Sequence, residues 1–183
     1  MIKIDEGRLQ TRASAALFDL AHAVQNAPDP YHITLTKSFA SLGLLDQKAE
    51  RDELIEKLGK KCIAIYIVKL GPTADWTAVR DALNRQKTGK LDDRAYPQIN
   101  KTSASEYMYV GSSRDCVKRL IEHLGLGGKR TYSLQMSSWA TSLVGDFEIE
   151  ILKYTDIDQI VLCAIEDQLS KELKPLFGRR GSR

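Results

Sequence analysis

The sequence predicts an α/β protein: a small mixed or antiparallel three-stranded sheet flanked by helices, with an N-terminal helical extension. Three observations carry this expectation. Segments 62–68, 107–110 and 147–152 concentrate β-branched, aromatic or alternating apolar residues in runs of strand length. Between and after them, apolar residues recur at the three- and four-residue intervals of half-buried helices. Residues 1–60 carry two further helical stretches, which divides the chain into an extension, 1–60, and a core, 61–183.

The chain has 183 residues, enough for a hydrophobic core without disulfides. Cys62, Cys116 and Cys163 are far apart in sequence and each lies in an apolar segment, so they read as buried thiols of a reducing compartment. Their spacing argues against a zinc site. The start, Met1–Glu6, lacks the apolar run of a signal peptide, and no stretch has the length of a membrane span. A soluble, cytoplasmic protein with no membrane partner is expected. The net charge of +3 is mildly basic. Its distribution is more informative: Lys171, Lys174, Arg179, Arg180 and Arg183 crowd the last segment against Glu172 alone, and Lys129 and Arg130 follow a glycine-rich loop. A nucleic-acid contact and a plain solvated surface fit these clusters equally well.

In chain order, residues 12–26 place Ala16, Leu17, Leu20, Ala21 and Val24 at helical spacing, stopped by Asn26 and Pro28-Asp29-Pro30. His22 reads as a surface or packing residue. Residues 31–36 have the makings of a short strand, and 38–45 of a helical turn. Gln47–Leu58 is a charged helix with Leu54, Ile55 and Leu58 inward. Segment 62–68 is a buried strand. Gly71-Pro72 marks a turn, and Thr73 or Asp75 caps a helix through Trp76, Val79 and Leu83. Residues 86–105 are polar and basic, so 70–105 reads as an insertion made of a helix and a basic loop. Gly125-Leu126-Gly127-Gly128 follows a helix and opens none, which favours a left-handed helix stop over a phosphate loop. Residues 147–152 alternate, as in a strand with one wet face. Asp156 is expected to cap a helix over 157–172 with Ile157, Ile160, Val161, Ala164, Ile165 and Leu169 inward and Glu166 at the edge of that stripe.

The stretch 107–123 brings chemistry together. It runs from a tyrosine-rich strand through Gly111 into a helix whose buried stripe is Val117, Leu120, Ile121 and Leu124. Arg119 and His123, four residues apart, lie on one side of that helix beside the stripe. Tyr109 stands at the strand end, with Tyr107 placed on the same face by alternation. A phenol, a guanidinium and an imidazole at one strand-to-helix junction suit the handling of a phosphate and an attacking water.

Tyr109-Val110-Gly111, the ten-residue step to Arg119 and the further four to His123 resemble the second half of the GIY-YIG nuclease signature. Ala64-Ile65-Tyr66 resembles the first half, with Ala64 where that family has glycine. Glu166 lies on a helix where the family carries its single metal-binding carboxylate. The resemblance spans about residues 62–178, with 42 residues between Tyr66 and Tyr109 where the family has a tight hairpin.

The resemblance implies a metal-dependent endonuclease acting on DNA. Glu166 would bind Mg²⁺ or Mn²⁺, Arg119 would contact the scissile phosphate, one of Tyr66 and Tyr109 would take a proton from water, and His123 would relay a proton or hold Tyr66. The compact chain suggests a restriction or genome-defence enzyme, and one site per chain leaves room for a homodimer. Lys69, Ser112, Lys129, Arg130, Lys174, Arg179 and Arg180 are the candidate nucleic-acid contacts. Two departures stand out. Ser112 replaces a lysine common in the family, for which Lys69 is the candidate substitute, and Gly178 stands where an asparagine is expected. Both departures also fit a different class, a non-catalytic nucleic-acid-binding module that retains the fold.

Overall fold

Antiparallel pairing of β2 (Ile63–Leu70) with both β3 (Tyr107–Ser113) and β4 (Asp146–Tyr154) forms the centre of the molecule. The computed structural model describes residues 6–178 except 91 and 103. The other strand is β1 (Tyr31–Ser38), so the sheet has four strands in the order β1-β4-β2-β3, all antiparallel. This corrects the three-stranded expectation. The segment before residue 60 supplies an edge strand as well as helices. The Tyr31–Thr36 alternation is the local trace of that strand. Its partner, β4, lies more than a hundred residues further along the chain.

Among the described residues five α-helices accompany the sheet: α1 (Glu6–Gln25), α2 (Gln47–Leu58), α3 (Trp76–Thr88), α4 (Cys116–Leu124) and α5 (Gln159–Leu173). Asp46, Asp75, Asp115 and Asp158 cap α2 to α5 with side-chain acceptors. The cap of α5 is Asp158 rather than Asp156, and Ile160, expected inside, is exposed in its first turn. A 3₁₀ turn at Ala40–Leu44 occupies the expected helical turn after β1.

β2 is buried on both faces because it is a central strand. Ala64, Tyr66, Val68 and Leu70 join the larger core with α2, α3 and α4, while Ile65 and Ile67 join a second core under α5 and the end of α1. Fully burying each such apolar side chain contributes about 1.5–3 kcal/mol. Segment 86–105, expected as a basic loop, docks on the body. Tyr96 and Asn100 are buried, Lys87 donates to the Pro97 carbonyl and Arg94 to Gln135 Oε1. The Ile99–Phe177 bridge and the Asn100 amide bonded to the Leu176 carbonyl tie it to the chain end. The segment after α5 lies along β3, where the Leu176 and Phe177 amides reach the Tyr107 and Met108 carbonyls.

Candidate active site

Tyr66 and Tyr109 meet because their strands are neighbours. Tyr66 pairs with Gly111 and Val68 with Tyr109. The two rings lie 6.3 Å apart between centroids and within 8° of parallel. Gly111 makes that stack sterically feasible. A Cβ there would stand 2.5 Å from the Tyr66 hydroxyl oxygen and 2.8 Å from Tyr109 Cε1. The glycine of Tyr-Val-Gly is therefore a packing requirement. Tyr66 is only 1% exposed, whereas Tyr109 is half-buried.

Tyr107 does not share the face of Tyr109. The ladder shifts register between Val68 and Lys69, so Tyr109 pairs with Val68 and Tyr107 with the very next residue, leaving Met108 extra. The irregularity turns Tyr107 toward the α5 core and Tyr109 toward the α4 core.

Helix α4 brings the other two groups. Its Asp115 cap and a left-handed Gly125 stop, with the Leu126 amide reaching back to the Ile121 carbonyl, define the helix at both ends. His123 is fully buried rather than at the side of the stripe. Its Nε2 lies 3.0 Å from the Tyr66 hydroxyl, and the Leu134 amide donates to its Nδ1 at 3.1 Å. A neutral imidazole carries one ring proton. Since Nδ1 accepts, that proton is on Nε2, and His123 donates to Tyr66. Burial holds the imidazole pKa well below its ordinary value, and the Arg119 charge pushes it the same way. Burial also holds the Tyr66 phenol well above its usual range, with Tyr109 adding to the shift and Arg119 opposing it.

The Arg119 guanidinium is held at two points. It donates to Glu122 Oε2 at 2.7 Å and to the Tyr132 carbonyl at 2.5 Å, and its charge interacts with the Tyr66 hydroxyl. Burial works against its charge, yet Tyr66 and Glu122 keep its pKa above the ordinary value. The glycine-rich loop folds over this pair: a Cβ on Gly127 would come within 2.7 Å of Glu122 Cγ. Glu122, Gly127 and the Leu134 amide were not anticipated from the sequence. The three-residue step from Arg119 to Glu122 was a readable signal for the first. Nothing local marked the other two.

Glu166 comes from the opposite face. It is half-buried on α5 and accepts a hydrogen bond from the Ser112 hydroxyl. Ser112 pairs with Ile65, a residue of the α5 core, and directly follows Gly111 of the tyrosine stack. Ser112 thus acts on Glu166 where a lysine was expected. Among the described residues no group of three or more His, Cys, Asp or Glu side chains is disposed around one metal position. A single carboxylate suits only a hydrated hard cation that shares its ligands with a phosphate.

Among the candidate nucleic-acid contacts, Lys69 pairs with Glu106 at 3.6 Å and lies over the Tyr107 ring. It is four residues along β2 from Ile65, the partner of Ser112, a separation of about 13 Å. Lys69 is therefore no replacement for a cation at Ser112. Lys129 approaches Asp93 at 3.5 Å, and Arg130 and Lys174 are exposed. Arg179 and Arg180 lie outside the described residues. Gly178 has φ +113°, and a Cβ there would be 3.2 Å from the Tyr109 ring, so an asparagine would be strained at this position.

Comparison of the chain with protein-family models, with curated proteins and with solved structures finds no match.

Proposed function

We propose that this protein is a metal-dependent endonuclease that hydrolyses DNA phosphodiester bonds, a GIY-YIG-type enzyme of restriction or genome defence. The observation that carries the reading is the joining of Tyr66, Tyr109, Arg119 and His123 in one cluster from three separate elements. Arg119 offers the remaining N–H groups of its guanidinium to a phosphate and meets developing charge there. Tyr109, the more accessible phenol, takes the proton of the attacking water or orients that water. Tyr66 is a poor base, since burial opposes its ionisation. Its oxygen instead holds His123 and lies in the field of the Arg119 charge. Glu166, on the α5 face of the sheet and reached from the cluster only past the Gly111-Ser112 step of β3, would hold Mg²⁺ or Mn²⁺, an ion that when bound neutralises phosphate charge and favours ionisation of water.

The pairing of Arg119 with Glu122 counts against catalysis, because it engages and partly neutralises the guanidinium, and the rival reading is a nucleic-acid-binding module that uses its other basic residues. Plasmid and phage DNA incubated with Mg²⁺, Mn²⁺ or EDTA separates the two. The enzyme reading expects metal-dependent cutting that is lost in Glu166→Ala and Tyr109→Phe. Salt-sensitive DNA binding by a folded protein that cuts nothing with either metal would leave the binding module.

A further inference from the structure

We propose that Cys62 and Cys116 are a redox-active thiol pair that hydroperoxides convert to a disulfide, clamping the start of β2 to the first turn of α4. This inference does not depend on the nuclease reading. The two cysteines are 53 residues apart in the chain but neighbours in the fold. The Cys116 amide donates to the Cys62 carbonyl at 2.9 Å, both side chains are buried in the same core, and the thiols are close enough to perturb one another's ionisation. With standard backbone bond lengths, that amide contact limits the Cα–Cα distance to about 6.8 Å, within the range a disulfide spans.

The pair is asymmetric. The neighbouring Cys116 thiol favours the Cys62 thiolate, against burial, and Lys153 adds to that preference. Cys116 is pushed up by the same contact and by burial. We take Cys62 as the attacking thiol and Cys116 as the resolving one, an order that the Cys116→Ser variant tests. Both are buried, and Lys61 and Asp115, which immediately precede them, are exposed. Cys163 stands elsewhere, on α5 beside Gln159.

The chemistry balances with a hydroperoxide as oxidant. The Cys62 thiolate attacks a peroxide oxygen; the S–O bond forms, the O–O bond breaks, and the departing oxygen takes up a proton as water. Cys116 then attacks the Cys62 sulfur. The S–S bond forms, the S–O bond breaks, and hydroxide leaves as water with the Cys116 proton. Two thiols and one hydrogen peroxide give one disulfide and two waters. The bond would tie the strand of Tyr66 to the helix of Arg119 and His123.

Full-length protein with Cys163→Ser, treated with hydrogen peroxide, denatured, alkylated and weighed, provides the test. The expected product has lost two hydrogens, takes up no alkylating reagent, yields one peptide joining Cys62 to Cys116, and reverts with dithiothreitol. Its thermal midpoint should rise by about 5–10 °C, because the bridge closes a long loop in the unfolded chain. Adding Cys116→Ser should halt oxidation at oxygen addition to Cys62. Should that variant fail to fold, the mass of the Cys163→Ser protein decides alone. Two alkylated thiols after peroxide treatment, or oxygen addition at Cys62 with Cys116 still free, overturns the proposal. No readout involves DNA, so failure here is distinct from failure of the nuclease reading.

Discussion

His123 donates through Nε2 to the Tyr66 hydroxyl at 3.0 Å, and the Leu134 amide bonded to Nδ1 at 3.1 Å fixes that direction. The imidazole is therefore a neutral strut within the core. Its folded pKa lies below the unfolded value of about 6.5. Above that pH both states are neutral and the group adds no pH dependence. As pH falls below about 6.5 the unfolded chain binds a proton that the folded chain refuses, so stability declines toward acid until the folded pKa is reached. Urea unfolding between pH 7.5 and 5 should show this slope, and His123→Gln should flatten it. A nitrogen-detected NMR spectrum should report the Nε2–H form of His123, with no titration across the same range.

Gly111 is where sterics and chemistry meet most tightly. In Gly111→Ala the new methyl would collide with both tyrosine rings, which are themselves boxed in by His123 and the sheet. Overpacking of this kind costs about 1–3 kcal/mol. We expect a lower urea midpoint with an unchanged m-value. Cleavage should fall far more than stability accounts for, because the rings part. Wild-type activity in Gly111→Ala would remove the stack from the proposed mechanism.

The sequence was most legible where local pattern and environment agreed. The α4 stripe of Val117, Leu120, Ile121 and Leu124 is buried as its spacing implies, and Gln47–Leu58 forms the expected helix. Long-range pairing was not legible. β1 is stabilised by β4, so its short alternation gave a weak local signal. One register shift reverses the face of Tyr107, and no composition rule marks where such a shift falls. The polar segment 86–105 contains Tyr96, whose hydroxyl bonds to Asp92, Gln86 and Ser138, a network assembled only after α3 and the 136–138 turn come together. Cys62 and Cys116 read as unrelated thiols for the same reason. In the site, the Tyr-Val-Gly step and the Arg119–His123 spacing pointed to a cluster, while Glu122, the partner that constrains Arg119, is marked in the sequence only by its three-residue step.

Lys37 on β1 and Glu50 on α2 form an ion pair at 2.5 Å with both side chains largely buried. Lys37→Met leaves a carboxylate only 5% exposed beside an apolar chain. Such a change costs about 3–5 kcal/mol. Lys37→Met combined with Glu50→Leu should recover most of that loss, since neither charge is then stranded. Chemical denaturation of the two single variants and the double variant gives the coupling directly. Additive losses would mean that the pair does not fasten β1 to α2.

Glu122 offers the sharpest separation of binding from catalysis. Its carboxylate both offsets the Arg119 charge and fixes where the guanidinium points, under a loop that Gly127 allows to close. Glu122→Gln retains shape and a carbonyl acceptor but removes the negative charge. Arg119 then attracts phosphate more strongly and is held less firmly. Under the proposed mechanism DNA binding should tighten several-fold and grow steeper in salt dependence, while kcat falls about tenfold or more, since loss of one charge-assisted hydrogen bond is worth about 1.5–3 kcal/mol. KM and kcat should therefore fall together, a combination that general destabilisation does not produce. A variant with unchanged KM and kcat would show that Arg119 needs no partner to reach its working position. Tighter binding with cleavage intact would assign Glu122 to charge balance alone.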